Sequence, residues 1–151
     1  MIKEPLNQVG DTEWVNDIRP NSGASLSPLE MVQEFAHCMS HPVGEKWYFD
    51  HKLEDMRFRL IAEEYGELSD ESDKGNHPEA MLKELADLVY VVYGYAATYG
   101  WDLDEAVRRV HKSNMSKLGI DNKPLKRPDG KVLKGPNYKK CDLSDLVEER
   151  T

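Results

Sequence analysis

Residues 59–71 read RLIAEEYGELSDE and residues 84–96 read ELADLVYVVYGYA. Leading into the first stretch, Leu53, Met56, Leu60, Glu64 and Glu67 recur at steps of three and four, which predicts a helix over about 50–73 with that stripe turned inward. Carboxylates thus continue a stripe that begins apolar. The second stretch lies in the most apolar segment of the chain, with Met81, Leu82, Leu85, Leu88, Val89, Val91, Val92 and Tyr95, and predicts a helix over about 78–99. Gly75-Asn76-His77-Pro78 between the two is a turn that places proline at the first helical position. A connection this short makes the helices antiparallel. Glu67 precedes the turn by about as many residues as Glu84 follows it, so at about 1.5 Å per residue the two reach similar heights. Residues three apart share a helix face, so Glu64 points with Glu67, and Glu84 with Asp87.

Two further helices flank this pair. Ser27-Pro28-Leu29-Glu30 carries a capping serine, proline at N1 and a glutamate at N3, and starts a helix to about Met39 with Leu29, Val32, Phe35, Ala36 and Met39 on one face. His41-Pro42-Val43-Gly44 breaks it. Gly100 suits the residue after the third helix, and Asp102 with Glu105 opens a fourth that runs to about Leu118 before Gly119. Asp129-Gly130 is a turn signal, and Lys131-Val132-Leu133 after it suits one side of a short hairpin. With no serial β pattern, the expected fold is all-α: a four-helix bundle core over residues 27–119, an extended N-terminal arm over 1–26, and a basic C-terminal tail over 120–151 belonging to the same domain.

Composition narrows the function. A net charge of −8 argues against a nucleic-acid polymer as partner, which needs a basic face. The acids concentrate in the central helices, while Arg127, Lys131 and Lys134 belong to a basic C-terminal stretch. No apolar run is long enough to span a membrane, and the first residues lack the core of a signal peptide. Cys38 and Cys141 have no paired spacing and are expected as free thiols of a reducing cytoplasm.

Four carboxylates converging at one level repel one another unless cations join them. An all-oxygen site without cysteine or histidine is the donor set that Mg²⁺ or Mn²⁺ prefers. A carboxylate di-iron bundle is disfavoured, because such proteins use paired ExxH motifs and here Glu84 is followed three on by Asp87. A non-enzymatic helical partner protein would leave Glu84 and Asp87, set among apolar neighbours, unexplained.

EExxE at 63–67 followed by ExxD at 84–87 resembles the signature of the all-α nucleoside triphosphate pyrophosphohydrolases, the MazG-like group that includes dimeric dUTPases and phosphoribosyl-ATP pyrophosphohydrolase. VQEFAHC at 32–38, VHKSNMSKLG at 110–119 and DGKVLKGPNY at 129–138 extend the resemblance, the last to compact phage and bacterial members. It implies that Glu64, Glu67, Glu84 and Asp87 hold Mg²⁺ or Mn²⁺, two or more ions in all. Glu63 serves a further ion or orients the attacking water beside Glu64. Asn114 and Lys117 contact nucleotide and phosphates, joined on chemical grounds by Arg127, Lys131 and Lys134, and Gln33, Phe35 and His37 line the base and sugar side. The implied reaction converts a nucleoside triphosphate, dGTP or GTP by resemblance, into monophosphate and pyrophosphate. Alternatives are dUTP and phosphoribosyl-ATP. The tyrosines at 90, 93, 95 and 99 point several ways from one helix, which predicts a helix covered all round in a homodimer or homotetramer, as in the family. A cytoplasmic setting follows, the host's if the source is viral.

Overall fold

The computed structural model describes residues 25–44, 50–75 and 77–147. Trp47, Tyr48, Phe49 and nearly all of the expected N-terminal arm lie outside these. Within them the protein is all-helical: α1 (Pro28–Cys38), α2 (His51–Lys74), α3 (Pro78–Thr98) and α4 (Leu103–Met115), with one 3₁₀ turn at Ser144–Leu146.

The helix ends follow their local chemistry. The Glu30 amide donates to Ser27 Oγ at 3.3 Å while the Ser27 amide donates to Glu30 Oε2 at 2.7 Å, closing the capping box of α1. Asp50 caps α2 by accepting from the amides of Lys52 and Leu53. At the end of α3, Trp101 N–H reaches Ala96 O and Gly100 N–H reaches Ala97 O, with Gly100 at φ 70°. That pattern is a Schellman cap, and its left-handed residue favours glycine.

α2 and α3 form the antiparallel hairpin that the turn predicts. Arg57 Nη1 lies 3.2 Å from the place a Cβ on Gly94 would occupy, so these two residues face each other. Seven residues on along α2 stands Glu64, and seven residues back along α3 stands Asp87, whose ligand atoms also meet. α1 packs on α3, and Leu29, Val32 and Ala97 form the small buried core, with Tyr93 against it. α4 docks on both α1 and α3.

The α2 stripe differs from its expectation. Met56 is 40% exposed and Glu67 is exposed, whereas Arg57 and Glu71 are buried. The gap at Gly94 admits a long guanidinium where a thioether was expected, and Arg57 Nε is left without a hydrogen bond. On α1, Phe35 and Met39 are exposed while Leu29, Val32 and Ala36 carry the contact. Nor is α3 covered all round in one chain: Leu82, Leu85 and Val89 form an exposed apolar stripe, and Phe58 and Tyr65 on α2 are exposed too.

α4 ends at Met115, three residues before its expected end, because the tail competes for its last turn. Lys117 and Leu118 make tight i to i−3 bonds, which frees Lys117 O to accept from Gly135 N–H at 2.9 Å. The tail then runs back along α4. Ser113 Oγ donates to Lys139 O at 2.7 Å and Lys139 N–H donates to Ser116 Oγ at 2.9 Å. Arg109 grips Asp145 through two nitrogens, at 2.5 and 2.8 Å. Before this, residues 125–133 make the expected short hairpin, with a Lys126–Val132 bridge and Leu133 N–H on Leu125 O at 2.7 Å.

Candidate metal centre

The hairpin register brings three of the expected carboxylates together. Glu64 of α2 with Glu84 and Asp87 of α3 present oxygens all within 4.8 Å of one another, and each residue is partly buried. Glu67, one turn further along α2, stays outside this group and is exposed, as is Glu63. Both still act through their charge. Burial first, then the charges of Glu67, Asp87 and Glu63, push the Glu64 carboxyl above the usual carboxylate range, with Lys83 pulling the other way.

Lys83 is the site residue that the sequence did not single out. Its ammonium donates to Asp87 Oδ2 at 2.7 Å and to Glu84 Oε1 at 3.2 Å, and these two bonds raise its pKa. Its signal was its spacing, one residue before Glu84 and four before Asp87. Tyr90 was likewise read only as packing. It stands three residues past Asp87, and its ring meets Phe35 of α1 edge-on at 5.8 Å. Burial raises the Tyr90 phenol pKa, and Glu34 adds to the effect. Phe35 also touches His41 at 6.3 Å. Gln33 is half-buried and His37 exposed on the same helix.

The expected phosphate-binding residues occupy several places. Lys117 Nζ donates to Asn114 Oδ1 at 2.7 Å, so these two are joined. Arg127 is held by Asp129 in the hairpin turn, Lys134 lies over the Tyr138 ring at 4.5 Å, and Lys131 is exposed.

The donor set fits a hard divalent cation. Two oxygens sharing one ion at bonds of about 2.0–2.1 Å stand about 3–4 Å apart, so rotamer adjustments close the present spacing. One lysine sits among at least four nearby carboxylates, so the centre still carries excess negative charge for a cation to balance.

An all-α hairpin that brings one carboxylate of an EExxE stretch and both of an ExxD stretch to one point defines a class of helical proteins with acidic, oxygen-only centres. Residues 32–114, more than half of the chain, match the phosphoribosyl-ATP pyrophosphohydrolase family, and the chain belongs to that family, within the MazG-like all-α superfamily. It is also similar to an uncharacterised protein of Acanthamoeba polyphaga mimivirus, with 37% identity over 82 residues. That stretch covers 50% of this chain and 32% of the viral protein, so the chain spans about a third of its relative's length.

Proposed function

We propose that this protein is a metal-dependent nucleotide pyrophosphohydrolase, converting a nucleoside triphosphate and water into a nucleoside monophosphate and pyrophosphate. The observation that carries the reading is the convergence of Glu64, Glu84 and Asp87 within 4.8 Å across a hairpin of this family. Glu64, Glu67, Glu84 and Asp87 would hold Mg²⁺ or Mn²⁺, which supply charge neutralisation of the phosphates and acidify water when bound. Glu63 orients the water, whose oxygen attacks the α-phosphorus as the bond to the pyrophosphate oxygen breaks. The water proton passes to the carboxylate of Glu63, which lies outside the three-residue group and is exposed. Asn114 at the end of α4 and Lys117 just after it bind the phosphate chain, with Arg127, Lys131 and Lys134 contributing from the tail. Gln33, Phe35 and His37 line the base side, where the Phe35–Tyr90 ring pair offers a stacking surface.

The preferred substrates are dGTP or GTP, on the resemblance of the tail to compact members. The name of the matched family supports phosphoribosyl-ATP as a second reading. The exposed stripe of Leu82, Leu85 and Val89 supports a homodimer or homotetramer. Sedimentation of the wild type against Leu82→Glu tests that assembly, and a wild-type monomer at micromolar concentration rules it out. Among the described residues no helix is long and apolar enough to cross a membrane.

A panel of nucleoside triphosphates, deoxynucleoside triphosphates and phosphoribosyl-ATP, run with Mg²⁺ and Mn²⁺ in ¹⁸O-labelled water, tests the reaction. Label is expected in the monophosphate, with pyrophosphate as co-product. Orthophosphate with a diphosphate overturns the assignment.

A further inference from the structure

The tail does more than cover the end of α4. Where residues 137–142 lie along the helix they wall an open recess of about 730 Å³, within the size range of small-molecule sites. Its wall is built. Lys139 is fixed through its own backbone to Ser113 and Ser116, and Asp142 O accepts from Arg109 at 3.2 Å. Five cations line the space, Arg108, Arg109, Lys112, Lys139 and Lys140, against two carboxylates, Glu105 and Asp142. In a chain of net charge −8 this is a local reversal of sign.

Both carboxylates are already engaged. Glu105 takes Arg108 and Arg109, each at 2.9 Å, and Asp142 accepts from the amide and hydroxyl of Ser144. Among the described residues, Lys112, Lys139 and Lys140 form no ion pair. Three lysines from two chain segments thus line one recess without an ion-pair partner, beside two carboxylates that are already engaged. At about 100° per residue, Lys112 stands nearly opposite Asn114 around α4, so this cavity does not belong to the Asn114–Lys117 face.

We propose that this cavity is a binding site for a compact polyphosphate anion, the pyrophosphate group either free or as the outer end of a nucleotide. Such a group carries several negative charges within a volume the cavity holds, and lysines suit it as point-charge donors. The site stands apart from the proposed hydrolysis, because it needs none of the carboxylate hairpin.

Calorimetric titration of the full-length protein with inorganic pyrophosphate, in excess chelator so that no divalent cation bridges the acidic hairpin, tests the proposal. Saturable one-to-one binding is expected. Lys112→Ala and Lys140→Ala should each weaken it roughly tenfold, and Lys112→Arg should retain most of it. Lys52→Ala, remote on α2, should leave it unchanged. Circular dichroism verifies that each variant is folded. A parallel titration with an α,β-methylene nucleoside triphosphate separates the sources: equal affinity identifies the free group, and tighter binding identifies a nucleotide. No wild-type binding overturns the proposal. So does a loss with Lys52→Ala as large as with Lys112→Ala, which marks diffuse charge, or a loss confined to Lys117→Ala, which returns the anion to the proposed substrate site.

Discussion

The carboxyl of Glu64 is held above its ordinary pKa by burial and by its acidic neighbours, so ionising it works against the metal-free fold. Replacing it with the neutral Glu64→Gln removes one of the crowded charges. We expect loss of turnover by roughly a thousandfold with an unchanged or higher melting temperature in chelator, and Asp87→Asn should lose turnover alike. Full activity in either variant would remove the residue from the proposed centre. Lys117→Ala should weaken a non-hydrolysable triphosphate by about 1–3 kcal/mol, the value of one charge-assisted hydrogen bond, and a monophosphate by less. Equal losses in calorimetry would instead place Lys117 at the nucleoside end. The grouping of Glu64, Glu84 and Asp87 was readable from the sequence because helical spacing and one short turn determine it. Lys83 was not, since a lysine on a charged helix usually faces water, and only the fold shows it bonded to both Glu84 and Asp87.

Among the elements, α1, α2 and α3 begin and end within about two residues of their sequence signals, because capping serine, proline and glycine act locally. The end of α4 was not readable, since it depends on a tail segment some twenty residues further on. The same reason hid Gly135. A Cβ there would stand 2.3 Å from Leu118 O and 2.7 Å from Lys117 O, both rigid backbone atoms. Gly135→Ala should therefore lift the tail from α4, costing about 1–3 kcal/mol of its docking, seen as faster amide exchange over residues 135–146 with α2 and α3 unaffected. Unchanged exchange would mean that the backbone yields without cost. The tail also has its own pH response. Its Arg109 partner holds the Asp145 carboxyl below the usual range, so this contribution is present above the ordinary carboxylate pKa and is lost as pH falls through the lowered one.

For the molecule as a whole, the opposite sign at Glu64 sets the more telling dependence. Its proton is retained by the folded chain at pH values where the unfolded chain has already released it, so its penalty is absent in acid and grows as pH rises through that window. A bound cation relieves the penalty and competes with the proton. The rise in melting temperature on adding Mg²⁺ or Mn²⁺ should therefore grow from mildly acidic to neutral pH in the wild type and be much smaller in Glu64→Gln. A metal-induced rise that ignores pH would detach the ion from Glu64. Bulk composition foretold a helical chain with much exposed charge, but not that Leu82, Leu85 and Val89 of α3 stay exposed, which only the fold shows. The register between α2 and α3 acts as a ruler. Because Glu64 meets Glu84 and Asp87 at one register, a residue inserted within α3 between Pro78 and Glu84 would carry those two acids about 1.5 Å along the helix and about 100° around it, parting them from Glu64.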